Sequence, residues 1–236
     1  MKPKYKRILL KLSGEGLMGE RAFGMDEKVI KELAEQVKTV HDNGTEVCIV
    51  VGGGNIFRGA KEASKGLNRS VADQVGMLAT VMNALYLQNA LEKTGTAARV
   101  MSGISIPAVC ENYIYRRALR HLEKHRVIIF AGGTGNPYFT TDSGAALRAS
   151  EMGCDVLLKA TQVDGVYSDD PKKNAKAVRY EHIGYDEVIQ KGLKVMDLTA
   201  VALAKDNKIP IVVFAQKGKK SLIDAVAGIG KFTVID

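Results

Sequence analysis

The 236-residue chain has no tryptophan, only 6% aromatic residues, and three cysteines without CxxC spacing. Cys48, Cys110 and Cys154 are scattered and odd in number, which argues against a disulfide framework or a zinc site and for reduced, partly buried thiols. No apolar run approaches the roughly 18 residues of a membrane span. The opening MKPKYKRILLKLSGEG is basic and then apolar, but Lys11 interrupts its apolar part after three residues. That is too short for a secretory signal, so the chain is expected to be cytoplasmic, with no membrane partner. The glycine run Gly52-Gly53-Gly54-Asn55 is neither a Walker A loop nor a GxGxxG fingerprint, and no Ser-His-Asp arrangement is apparent. The four histidines, His41, His121, His125 and His182, fall in helical or solvated contexts and form no metal cluster, so no protein-built metal site is expected.

Repeats, low-complexity tracts and linkers are absent too, which leaves one domain over 1–236. The net charge is +8, but the basic residues are spread out and densest at the two ends, in 2–7 and 217–220. Without a helix-turn-helix or an aromatic-interleaved basic sheet, this balance points to a polyanionic small molecule, with nucleic acid excluded as main partner.

What is present is an alternation of strands and helices. Strands are expected at 6–12, 46–51, 98–101, 127–130, 155–158 and 211–214, with further ones at 104–109 and, as an edge strand, 233–235. Helices are expected after Asp26, at 70–93, 113–124, 186–192 and 195–207. The 70–93 helix is apolar over more than one stripe, which suits either a core helix or one facing another subunit. This order predicts an α/β fold: a three-layer αβα sandwich with a central, mainly parallel sheet, in two lobes of one continuous sheet.

Three strand ends run into glycine turns, at Gly14, at Gly52, Gly53 and Gly54, and at Gly132, Gly133 and Gly135. The third belongs to the stretch VIIFAGGTGNPYFTTDSGAALRAS (127–150), a strand, a glycine loop and a helix start for which Asp142 or Ser143 is the expected N-cap. Such a turn aims backbone N–H groups at one point and makes an anion site; its plain alternative is an ordinary capped turn. In a parallel sheet these ends share one edge and can converge on a single cleft. Lys11 and Lys159, both at strand ends, are costly to bury side by side without anions, and an occupant with several phosphates satisfies them. Phosphoryl transfer asks mainly for positioning and charge stabilisation, which lysines and backbone N–H groups supply.

The segments KLSGEGL (11–17), VVGGGNIFRGA (50–60), DQVGMLATVMNAL (73–85), GTGNPYFTTDS (133–143), LLKATQVDGVYSDDP (157–171) and LKVMDL (193–198) occur in one ordered set. In that combination the chain resembles the bacterial uridylate (UMP) kinase family, a branch of the amino acid kinase family unrelated to the P-loop nucleoside monophosphate kinases. The resemblance implies transfer of a phosphoryl group from ATP to UMP on the pyrimidine (CTP) route. Lys11, Leu12, Ser13 and Gly14 would then handle the ATP phosphates, with Gly54 and Arg58 on the same side, while Thr161, Gln162, Tyr167 and Asp170 frame its adenosine. Gly53 and Asp73 would hold UMP, and Thr134, Gly135, Asn136, Pro137, Tyr138, Phe139, Thr140 and Thr141 would wrap its phosphate and base. Lys11 and Lys159 would stabilise the transferring group, with Asp142 orienting them and Mg²⁺ held mainly by the nucleotide phosphates. The UMP side would occupy mostly 1–155 and the ATP side mostly 156–236.

The resemblance also implies a homohexamer with GTP as activator and UTP as inhibitor. Gly19, Glu20, Arg21, Ala22, Phe23 and Gly24 match the loop tied to the GTP response, and Arg99 and Arg126 match basic effector positions. Gln88 and Glu92 stand where some relatives carry Arg and His, and a glutamate facing a triphosphate disfavours GTP activation. The rival within the same fold is an acetylglutamate- or aspartate-type kinase, with an amino-acid pocket in place of the GTGNPYFTT loop.

Overall fold

The computed structural model describes residues 4–58, 66–171 and 173–236; Gly59 and Ala60 of the second glycine motif, and the start of the basic group 2–7, lie outside them. The strands are β1 (Arg7–Leu12), β2 (Glu46–Val51), β3 (Ala98–Ser102), β4 (Glu111–Asn112), β5 (Val127–Ala131), β6 (Val156–Thr161), β7 (His182–Ile183), β8 (Ile211–Ala215) and β9 (Phe232–Ile235). The helices are α1 (Glu27–Asp42), α2 (Arg69–Lys93), α3 (Tyr115–Glu123), α4 (Thr141–Met152), α5 (Tyr185–Gln190), α6 (Leu198–Asp206) and α7 (Ser221–Ala227). One nine-stranded sheet runs in the order β4-β3-β5-β2-β1-β6-β8-β9-β7. Its pairings are parallel except β8 with β9.

The central strands are near-continuous apolar runs because helices cover both faces. Ile8, Leu10 and Leu12 pack with Leu33 and Val37 of α1, Leu87 of α2 and Leu222 of α7. Leu9, Cys48 and Leu157 point the other way, toward Leu122 of α3, Ala145 and Ala149 of α4 and Val201 of α6. Side chains alternate along a strand, so Lys11 shares the face of Leu9 and Lys159 that of Leu157. Lys11 and Lys159 are also register partners across the β1–β6 ladder. Two amines therefore stand side by side on the face that α4 covers.

Local chemistry explains where the elements depart from the expected boundaries. The N-cap of α4 is Thr140, whose Oγ1 accepts from Asp142 N at 3.0 Å and Ser143 N at 3.4 Å, and not Asp142 or Ser143. The 104–109 segment is a turn closed by Val109 N and Cys110 N on Ile106 O; the outer strand is instead β4, beside β3. The strand at the C-terminal end is antiparallel and is not an edge, since β7 pairs beyond it. The helix expected from 195 starts at Leu198, after Gly192 turns the chain at φ 60° and Asp197 caps it by accepting Ala200 N. The helix expected from 113 starts at Tyr115, because Tyr113 packs edge-on against Phe130. No helix among the described residues is long and apolar enough to cross a membrane.

Candidate active site

Asp142 lies in the first turn of α4, where the positive end of the helix dipole favours a carboxylate. Because Thr140 caps the helix, that carboxylate is left for the lysines. Lys11 Nζ sits 2.6 Å from its Oδ1, and Lys159 Nζ donates to its Oδ2 at 2.6 Å. Both lysines are buried, at 7% and 9% exposure. Burial pushes the Lys159 amine down, opposed by Asp142 and reinforced by the Lys11 charge. Burial alone would push the Asp142 carboxyl up, but the two ammonium groups outweigh it and hold it below the usual carboxylate range. Within this trio two positive charges face one negative charge, which suits an added anion.

The glycine turns close around the trio. A Cβ on Gly14 would stand 2.6 Å from Gly54 N, so the turns after β1 and β2 touch backbone to backbone. The turn after β5 needs Gly132 and Gly133 at φ 73° and 55°, and Gly133 lies against Gly144 in α4. Arg58 spans the first two turns, pairing with Glu15 at 2.7 Å and donating to Gly54 O at 3.3 Å. Ser13 Oγ accepts Gly16 N at 3.0 Å and tightens the first turn, and Leu12 is fully buried beneath it.

Beside the trio opens a cleft of about 210 Å³ lined by Gly53, Asp73, Thr134, Asn136, Phe139, Thr140 and Thr141 among others. Asp73 accepts from Arg69 Nε at 2.8 Å and from Tyr138 N at 2.8 Å. Tyr138 holds φ 70°, an uncommon backbone state for a residue with a Cβ, and lies under the Arg69 guanidinium. Pro137 and Gly135 belong to the same loop, Gly135 packing on Gly103 O. On the far side of Lys159, Thr161 Oγ1 donates to Val163 O at 2.6 Å, and Tyr167 OH donates to Asp164 Oδ1 at 2.6 Å. Gln162 and Asp170 are exposed there, and Asp170 N donates to Asp169 Oδ1 at 2.7 Å.

Sequence reasoning missed Asp197. It accepts from Ser143 Oγ at 2.9 Å and from Thr140 Oγ1, and its charge bears on Lys159. Its signal was the motif LKVMDL, where an aspartate precedes an apolar helix. It also missed Thr80 and Asn83, polar residues hidden inside α2.

The expected effector residues do not come together within the chain. The 19–24 segment follows β1 at the glycine-turn edge, with Phe23 66% exposed and Gly24 N donating to Asn55 O at 3.0 Å. Arg99 and Arg126 lie at the opposite ends of the strands, near the starts of β3 and β5. There Arg99 reaches Glu92 at 3.4 Å and Ala98 O at 2.6 Å, Gln88 donates to Glu92 at 3.1 Å, and Arg126 meets His121 Nδ1 at 3.2 Å. A separate pocket of about 420 Å³ includes Gln88, Arg99 and Arg117. Among the described residues no three His, Cys, Asp or Glu side chains gather as a metal site.

Residues 6–215 match the model of the amino acid kinase family. The chain is 60% identical to a uridylate kinase of Paramagnetospirillum magneticum, over 98% of this chain and 97% of the relative. It is 58% identical to one of Erythrobacter litoralis, over 99% and 98%. A crystal structure of UMP kinase from Bacillus anthracis superposes with a TM-score of 0.93 at 40% identity, covering 98% of this chain and 96% of that one. One from Ureaplasma parvum gives 0.94 at 38%, covering 99% of both. Likeness at this level, along the whole length of both chains, makes this chain a member of the amino acid kinase family, in its uridylate kinase branch.

Proposed function

We propose that the chain catalyses reversible transfer of the γ-phosphoryl of ATP to UMP, giving ADP and UDP in pyrimidine nucleotide biosynthesis. The observation that carries this reading is the Lys11–Asp142–Lys159 trio at the meeting point of three glycine turns, with a cleft opening beside it. UMP occupies that cleft, its phosphate among Thr134, Thr140 and Thr141 and its ribose at Asp73, which exchanges the Tyr138 N–H for a nucleotide hydroxyl. ATP enters from the Thr161, Tyr167 and Asp170 side, with its phosphates over Ser13, Gly14, Gly54 and Arg58. In this division the UMP side is mostly 1–155 and the ATP side mostly 156–236.

Lys11 and Lys159 stabilise negative charge on the moving phosphoryl group, and Asp142 keeps both ammonium groups aimed at it. The attacking UMP oxygen is already ionised, so no general base is needed. Asp142 is engaged by two lysines and Asp197 by two hydroxyls, so these carboxylates fit second-line support better than direct metal ligation. Mg²⁺ is held mainly by the nucleotide phosphates, where it neutralises charge.

Val71, Leu78 and Met82 lie exposed on α2, an apolar stripe suited to a second copy of this chain. A homohexamer in the cytoplasm, with UTP as inhibitor, extends the reading. GTP activation is disfavoured by Glu92, which occupies Arg99. A coupled assay offering ATP with UMP, CMP, acetylglutamate or aspartate tests the activity. UMP is expected to give the dominant turnover; turnover on an amino acid with none on UMP overturns the reading.

A further inference from the structure

Two polar side chains inside α2 have been given no role in the chemistry above, although Thr80 lies in the wall of the cleft assigned to UMP, with its hydroxyl turned to the backbone. Thr80 is 2% exposed and Asn83 0%, and a helix serving only as core filler would carry apolar residues there. They stand three residues apart, on neighbouring turns of one helix face. Thr80 Oγ1 accepts Gly132 N at 2.7 Å and donates to Met77 O at 2.7 Å. Asn83 Nδ2 donates to Gly52 O and to Asn55 Oδ1, each at 2.7 Å, and Asn55 Nδ2 returns a bond to Asn83 Oδ1 at 3.0 Å. Asn55 Nδ2 also donates to Gly24 O at 2.9 Å.

One helix face thus grips the glycine turns at the ends of β2 and β5, which are neighbours in the sheet. The grip is close on the backbone side too, because a Cβ on Gly53 would lie 2.9 Å from Gly76 O. It extends to the third turn, since a Cβ on Gly14 would fall 2.5 Å from Asn55 Oδ1. We infer that Thr80 and Asn83 are positioning residues, which act through Gly132, Gly52 and Asn55 to set the spacing between the turns that hold the donor and acceptor phosphates. The inference rests on the uridylate kinase reading for the identity of the two ligands. A misplacement of about 1 Å between reacting groups costs on the order of 10²-fold in rate, so such a rack acts on kcat more than on binding.

The test compares Thr80→Val, which keeps shape and removes the hydroxyl, with Thr80→Ser, which keeps the hydroxyl, and with Asn83→Asp, which removes both amide donors. For each, kcat, both KM values and the thermal midpoint are measured. Thr80→Val and Asn83→Asp are expected to lose at least about tenfold in kcat with each KM within about threefold. Thr80→Ser is expected within about twofold of the parent. Wild-type kcat in folded Thr80→Val and Asn83→Asp overturns the inference, as does a Thr80→Ser enzyme no better than Thr80→Val. Should Thr80→Val fail to fold, Asn83→Asp reads the same grip from its other contact. Turnover of UMP by the parent protein tests the kinase reading separately. The ratio of variant to parent, with whichever acceptor the parent uses, tests the rack.

Discussion

Asp142 and Asp73 are each paired with two neighbours, and in opposite settings. Asp142 is held by Lys11 and Lys159, whose side chains are 8% and 11% exposed. Asp73 is about as covered itself, at 15%, but its partner Arg69 is 44% exposed and its second donor is a backbone N–H on the loop that carries Tyr138. The lysines are set side by side by strand register and buried under a packed helix, which leaves the Asp142 trio little room to rearrange. Arg69 and Tyr138 can swing into water. The contrast teaches that the environment of the partners separates a buried, constrained ion-pair trio from a solvent-edged one, which is the physical basis of the division proposed between reaction site and ligand rim.

The sharpest way to break this comparison is Lys159→Met. Loss of a buried, aimed donor is expected to lower kcat by about 10²- to 10³-fold while leaving the KM for UMP nearly unchanged. Near-normal turnover removes Lys159 from the mechanism. Next, Asp142→Asn leaves two buried ammonium groups without their carboxylate and is expected to destabilise the fold by about 3 kcal/mol, read by urea unfolding. Asp73→Asn, by contrast, is expected to raise the KM for UMP by about tenfold, with kcat within about twofold. An unchanged KM reduces Asp73 to a latch on Tyr138 N.

The pH profile sharpens the same difference. Lys159 has its pKa lowered from 10.5 by burial in the unliganded protein, so the alkaline limb of kcat/KM, which reports the free enzyme, is expected below that value. Asp142 is depressed from 3.8, so the stability it contributes is present above 3.8 and is lost as pH falls through its lower folded value. An alkaline limb at or above 10.5 contradicts the burial argument for Lys159. The smallest effect is expected from Tyr167→Phe, which removes an exposed-side bond to Asp164 and should raise the KM for ATP by no more than about threefold.

Much of this was readable before the fold was known. Strand ends followed by glycine are visible in a sequence, and the parallel α/β order puts Lys11 and Lys159 at one edge. Their exact pairing across β1 and β6 was not visible, because register depends on contacts far apart in the chain. Asp142 could be read as a helix cap until Thr140 was seen to take that role, freeing the carboxylate. Pro107 sits within a run of strand-like residues, and only the closure of 106–110 shows that the run is a turn. The α2 helix was legible as a long apolar element, but its buried Thr80 and Asn83 broke no periodicity and their partners lie in the turns after β5 and β2. Asp197 was hidden for the same reason, since its link to Thr140 and Ser143 spans more than fifty residues.

A structure of the protein with UMP and a non-hydrolysable ATP analogue tests the central claim most directly. The γ-phosphate of the analogue is expected within hydrogen-bond distance of both Lys11 Nζ and Lys159 Nζ, facing the UMP phosphate across them. A γ-phosphate bound away from the Lys11–Asp142–Lys159 trio, or UMP outside the cleft at Asp73, would contradict it.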